Sequence, residues 1–222
     1  MRNLTTSQKL WATLIAAWLA MLVLMFWSAW VTRNVMFEER RAKVQSQVEI
    51  ALSVFDDIAK QVDKGDMTKD AGQRLAAEMV KGMRYDDGRG YFFVVDKSFT
   101  NIVHPTLPIG QSLADYKDAD GRKLFVEFVD AVNRDKGRAF VDYRWAHAKT
   151  GVIENKSSFL RQFEPWGWYI GTGIYVSDIN EVFVTKLLYS GLGLLLVGVP
   201  LSLLMGWVIR DLMRRLGSDP RY

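Results

Sequence analysis

The sequence predicts an α+β domain, one antiparallel sheet with helices packed outside it, carried between two transmembrane helices. Three observations support this. First, Leu10 to Val31 and Leu187 to Ile209 are runs of 22 and 23 residues without a charge. At a 1.5 Å rise per residue each can cross a hydrocarbon core of about 30 Å. Second, the intervening residues 33–186 hold 23 Lys+Arg and 23 Asp+Glu, so the formal charge of +4 belongs to the flanks. Third, apolar spacing in that middle segment switches from a helical period to alternation and back, the order helix, helix, strand, strand, helix, strand, strand, strand, helix.

The flanks come first. Arg2 and Lys9 precede the first run, and Arg210, Arg214 and Arg215 follow the second. By the positive-inside rule both termini are expected in the cytoplasm of a bacterium, and the middle segment in its periplasm. The expected division is residues 1–9 cytoplasmic, 10–32 and 187–209 membrane-spanning, 33–186 a periplasmic domain, and 210–222 a short cytoplasmic tail. The first run, with Trp11, Trp18, Trp27 and Trp30, is too long for a cleaved signal core and reads as an anchor. Gly191, Gly193, Gly198 and Pro200 are tolerable in a membrane helix.

Asn34 to Val62 lacks Gly and Pro and spaces Val35, Val44, Val48, Ile50 and Phe55 helically, which predicts one long helix continuing from the first span. Lys64-Gly65-Asp66 closes it. Thr68 to Met83 reads as a second helix with Leu75, Ala76, Met79 and Val80 inward. Tyr91–Val95 and Asn101–Pro105 form a hairpin, Lys123–Val132 a helix, Ala139–Trp145 and Val152–Phe163 a second hairpin, and Trp168–Val176 a last strand. Ser177-Asp178 is expected to cap a short helix leading to the second span.

Alternation places Tyr91, Phe93 and Val95 on one strand face, Val141, Tyr143 and Trp145 on another, and Tyr169, Gly171, Gly173 and Tyr175 on a third. The two glycines leave room for a small cavity, although such aromatics and glycines serve equally as plain core and bulges. Arg84, His104 and Lys156 fall in or beside these strands, and cations among aromatics suit an organic anion. Asp56-Asp57, Asp86-Asp87 and Asp118/Asp120 read as solvated turns. With two histidines, no cysteine and no calcium-loop spacing, neither a metal nor a cofactor is expected. No nucleophile elbow or phosphate loop appears, so the chain does not read as an enzyme. The balanced middle segment gives no reason to expect nucleic-acid binding.

Arg84-Tyr85, Gly90 to Asp96, His104-Pro105, Gly110, Asp120 to Phe125, Tyr143-Arg144-Trp145, Lys156 and Trp166 to Tyr175 together resemble the single Cache sensor domain, type 2, of bacterial methyl-accepting chemotaxis proteins and sensor kinases. The resemblance covers roughly residues 34–179 and implies a PAS-like fold, an antiparallel sheet with a long N-terminal helix, that binds small molecules in the periplasm. It also implies a binding set of Arg84, Tyr91, Phe93, His104, Tyr143, Trp145, Lys156, Gly171 and Gly173 for a short-chain carboxylate, an amino acid or a similar small anion, of which a carboxylate of roughly two to four carbons is the expected one. Two places depart from the family pattern: Ala146 to Gly151 replaces a proline-rich turn, and Phe159 stands where many relatives have tyrosine.

A ligand in such a sheet can reach the cytoplasm only by shifting helices, and Trp168 to Val176 is the expected transmitter. The long helix is expected to pair with a second copy, because Val44, Val48 and Phe55 have no evident partner within the domain. Only 13 residues follow Ile209, so output is expected either from a separate cytoplasmic signalling protein or from a part missing in a truncated receptor. The competing expectation is a membrane adaptor or scaffold that binds a protein instead of a small ligand.

Overall fold

The first helix, α1 (Thr6–Asp63), runs 58 residues because nothing in it interrupts helical backbone; no Gly or Pro occurs in its sequence. It stops where Gly65 takes φ 82° and its N–H returns to the Val62 carbonyl. Thr68 then caps α2 (Lys69–Gly82), its hydroxyl accepting from Ala71 N at 3.3 Å. The remaining elements are β1 (Arg84–Tyr85), β2 (Gly90–Tyr91), β3 (Phe93–Asp96), β4 (Asn101–Val103), α3 (Leu124–Arg134), β5 (Arg138–Ala146), β6 (Ile153–Phe163), a 3₁₀ turn at Glu164–Trp166, β7 (Trp168–Tyr175) and α4 (Val176–Arg215). This computed structural model describes residues 6–215, so Arg2 and the end of the expected cytoplasmic tail lie outside the described residues. The chain divides into two compact units, Met36–Ile179 and the flanks up to Val35 and from Asn180.

Within Met36–Ile179 the five main strands form one antiparallel sheet in the order β4-β3-β7-β6-β5. Its two faces have separate cores. One packs Phe92, Val94, Phe159 and Ile170 beneath Val48, Phe55 and Ile58 of α1 and Ala76 and Val80 of α2. The other packs Tyr91, Phe93, Val141, Tyr143, Trp145 and Leu160 beneath Leu124, Phe125, Phe128 and Val132 of α3. On the edge strand β5 the residues between these, among them Arg138, Asp142 and Arg144, point to solvent.

In the flanking unit, α1 and α4 each carry an 18-residue window of mean hydropathy above 2, long and apolar enough to cross a membrane. Gly198 faces the Trp18 ring, and Trp18 Nε1 donates to Ser202 Oγ at 2.8 Å. A close approach and an interhelical hydrogen bond thus join the two helices in this unit. α4 continues through Pro200.

Four expectations need correction. Val44, Val48 and Phe55 are 0% exposed; the sheet already covers the stripe invoked for a homodimer, so the stripe gives no ground for one. Leu75 and Met79 of α2 are exposed, leaving Ala76 and Val80 as its inward residues. Ser177 and Asp178 do not cap a short helix: α4 begins at Val176 and runs 40 residues, with Asp178 in its first turn. Finally, β1 and β2 form a two-stranded ribbon, Arg84 opposite Tyr91 and Tyr85 opposite Gly90, that strand patterning did not signal.

Candidate ligand cleft

Register builds the site. Lys156 of β6 lies directly opposite Tyr143 of β5 and Tyr175 of β7, so three neighbouring strands place these residues in one row. The Lys156 side chain, 2% exposed, runs under Tyr91. Its Nζ donates to Tyr91 Oη at 2.8 Å and lies 4.0 Å from the Tyr91 ring centroid and 5.0 Å from that of Tyr175. Among the described residues no carboxylate pairs with it; its charge is met by a hydroxyl and ring faces alone.

His104 stands beside this group, its ring 5.8 Å from Tyr91 and 5.4 Å from Trp145. Its Nδ1 accepts from the backbone N–H groups of Thr106 and Leu107, both at 3.1 Å, which assigns the imidazole proton to Nε2. Tyr143 Oη shares a hydrogen bond with Ser158 Oγ at 2.9 Å, and Phe93 stacks on Phe128 at 5.5 Å.

Burial governs the charges. It lowers Lys156 to about 7. Burial, reinforced by the Lys156 charge, lowers His104 to about 3. Burial also raises Tyr91, Tyr143 and Tyr175, so their hydroxyls stay protonated. At neutral pH the group offers hydroxyl donors, a neutral imidazole and an amine that an incoming anion would hold in its charged form.

An open cleft of about 800 Å³ reaches this group; Tyr91 and Trp145 line it, together with segments 105–107, 116–119 and 146–151. The structure therefore gathers Tyr91, Phe93, His104, Tyr143, Trp145 and Lys156 into one cluster. Arg84 stands apart from it. Its side chain is on the rim of the cleft, exposed, with Nη1 donating to the carbonyls of Lys81 and Met83 at 2.7 and 2.9 Å. The two glycines leave no cavity. A Cβ on Gly171 would strike the Phe93 ring and one on Gly173 the Ser158 side chain, so both permit close packing. Phe159 faces α1, with its ring 4.9 Å from Phe140, and the hydroxyl it lacks concerns that core and not the cleft.

The expected binding set left out Tyr175 and His147. Tyr175 shares the alternation of Tyr169, Gly171 and Gly173, and that signal was enough to find it. His147 lines the cleft with its ring 4.4 Å from that of Tyr175 and tilted to it, but lies just past β5, where alternation has ended. Asp118, read as a solvated turn residue, is buried; its Oδ1 accepts from the N–H groups of Asp120 and Arg122, both at 2.9 Å, which ties down the loop along the cleft.

Comparison with known proteins matches residues 36–188 to the single Cache domain 2 family. The chain is 30% identical over 97% of its length to the methyl-accepting chemotaxis protein McpP of Pseudomonas putida. It is 31% identical over 65% of its length to the sensor histidine kinase MctS of Rhizobium johnstonii. It spans only 39% and 30% of the length of these curated relatives. Among solved structures, a periplasmic sensor domain of a chemotaxis protein is 40% identical with a TM-score of 0.60, covering 64% of this chain and 98% of that one. A Cache chemosensory domain described for carboxylic acid recognition is 33% identical with a TM-score of 0.60, covering 64% and 97%. A methyl-accepting chemotaxis protein from Vibrio parahaemolyticus is 25% identical with a TM-score of 0.58, covering 68% and 99%.

Proposed function

Because the chain belongs to the single Cache domain 2 family, we propose that it is a membrane-anchored sensor whose Met36–Ile179 unit binds a short-chain carboxylate outside the cytoplasm. The observation that carries this reading is Lys156, a buried amine with no carboxylate partner among the described residues, which an incoming anion would hold in its charged form. A buried charge is costly unless it is paired and hydrogen-bonded, and a ligand carboxylate supplies the missing partner. The relative solved for carboxylic acid recognition supports the same ligand class.

In this reading the carboxylate enters from the open cleft and meets Lys156 Nζ, while the Tyr91 hydroxyl and His104 Nε2–H complete its shell and Trp145 flanks its apolar part. The cleft binds without catalysing, and no covalent bond is made or broken in it. Tyr175, facing Lys156, is the last residue of β7, and α4 starts at the next residue. A change in the ligand's surroundings is thereby delivered to a helix without an intervening loop. The apolar windows of α1 and α4 anchor the unit in the bacterial inner membrane with both flanks toward the cytoplasm, where a signalling partner reads the helices.

The test is a thermal-shift screen of the full chain in detergent with acetate, propionate, lactate and pyruvate against neutral and cationic compounds of similar size. A carboxylate should raise the melting temperature, and Lys156→Met should abolish the rise without unfolding the chain. A rise produced equally by uncharged compounds, or retained in Lys156→Met, overturns the carboxylate reading; no rise with any compound favours a protein-binding adaptor.

A further inference from the structure

The turn between β1 and β2 holds three successive residues at positive φ, Asp86 at 48°, Asp87 at 55° and Gly88 at 82°. Left-handed backbone is ordinary for glycine and tolerated by single aspartates; two in succession before a glycine persist only where the surroundings hold them. The surroundings do. The Asp86 carboxylate takes Arg40 at 3.2 Å on one oxygen and Lys43 on the other, both from α1. Arg89 Nε donates to the Asp86 carbonyl at 3.2 Å, and its Nη1 bonds Asp178 Oδ1 at 2.8 Å in the first turn of α4. The same Asp178 oxygen lies 3.7 Å from Nε2 of His147, on the wall of the cleft. Gly88 lines that cleft too. One four-residue turn thus grips both long helices and borders the place where a ligand enters.

We propose that the Asp86–Arg89 turn is the coupling element of the sensor, with Asp86 and Arg89 as positioning residues that tie α1 and α4 together through ion pairs beside the cleft wall. Its half-buried pairs are exposed enough to exchange partners; Asp86 holds two charges on α1 and Arg89 one on α4. A ligand that draws the 146–151 segment toward Lys156 shifts His147 relative to Asp178, and the turn passes the displacement to α1 through Asp86. This rests on the sensor reading for its trigger, but the linkage between helices is testable without any ligand.

The experiment is hydrogen–deuterium exchange on the full chain in lipid nanodiscs. Asp86→Asn removes a charge that touches only α1, and Arg89→Gln removes one that reaches α4. Coupling predicts cross-effects: severalfold faster exchange at amides 180–184 of α4 in Asp86→Asn, and at amides 40–47 of α1 in Arg89→Gln. Because both residues serve one linkage, the double variant Asp86→Asn with Arg89→Gln should exchange no faster on either helix than the faster of the two single variants. Propionate should slow exchange at both helices in the wild type, and only at 146–151 in the single variants. Faster exchange confined to the helix whose partner was removed, or effects that add in the double variant, overturns the proposal. If propionate protects nothing while the cross-effects and their non-additivity are present, the ligand reading fails and the coupling stands.

Discussion

The two faces of the central sheet are made from the same strands, yet their chemistry differs. Phe92, Val94, Phe159 and Ile170 on the α1 side have hydrocarbon neighbours and ask nothing but to be dry. Tyr91, Tyr143 and Lys156, one residue out of phase, are as deeply buried and carry a polar atom each. The first face stabilises the unit through area removed from water. The second face gives up part of that stabilisation to hold an amine and two hydroxyls in fixed places. Period-two alternation lets one strand serve both purposes, so recognition and stability can be perturbed separately.

The largest expected effect breaks the stability face. Phe55 contacts the rings of Phe163, Trp166 and Trp168, and Phe55→Ala should destabilise the unit by about 3–5 kcal/mol in thermal unfolding while any variant that still folds keeps its carboxylate response. Next is the recognition face. Lys156→Met should weaken carboxylate binding by roughly 10- to 150-fold in calorimetry and leave unliganded stability equal or higher, because a buried unpaired charge has been replaced by a similar apolar shape.

Proton linkage sharpens the contrast. His104 is lowered to about 3 in the fold against 6.5 for the free side chain. The unfolded chain therefore binds the extra proton first, and stability should fall by about 1.4 kcal/mol per pH unit as pH drops from 6.5 toward 3. Lys156 is lowered to about 7 from 10.5. Its folded form releases the proton earlier, so unliganded stability should rise as pH increases between those values, while carboxylate affinity should decline above about 7 by up to roughly tenfold per unit. Melting curves and binding isotherms above about pH 7 would move in opposite directions; a parallel trend there would remove Lys156 from the binding role.

The smallest effect lies where the faces meet. Tyr85 Oη shares a hydrogen bond with Thr172 Oγ1 at 2.6 Å, and Thr172 Oγ1 donates to the Tyr91 carbonyl at 2.6 Å. Burial pushes the Tyr85 hydroxyl up to about 12. Tyr85→Phe should cost about 1 kcal/mol, since Thr172 keeps its other partner, with no change in ligand response.

Much of this division was readable in the sequence, because alternation is geometric: Tyr91 with Phe93, and Tyr143 with Trp145, had to share faces once their segments were strands. Lys156 could be found for the same reason. What was hidden depends on side-chain reach and on contacts distant in sequence. Arg84 was grouped with Lys156 because both are cations near strands, but its guanidinium turns back onto the end of α2. Gly171 and Gly173 signal a close approach without saying what approaches, and a ring and a serine do. Asp86 looked like a solvated turn because its partners, Arg40 and Lys43, lie some forty residues before it in the chain. The β1–β2 ribbon has two residues per strand, below the length at which alternation is a signal.

The unpaired Lys156 also bears on how many copies of the protein a cell keeps. An unfilled chain buries the Lys156 amine without an anionic partner, and on the sensor reading a filled one is stabilised by RT ln(1 + [L]/Kd). Proteases draw on the unfolded fraction, so copies with ligand bound would outlast empty ones. The carboxylate would then govern the turnover of its receptor as well as its signal, and a cell growing on that compound would accumulate more of the protein without any change in transcription.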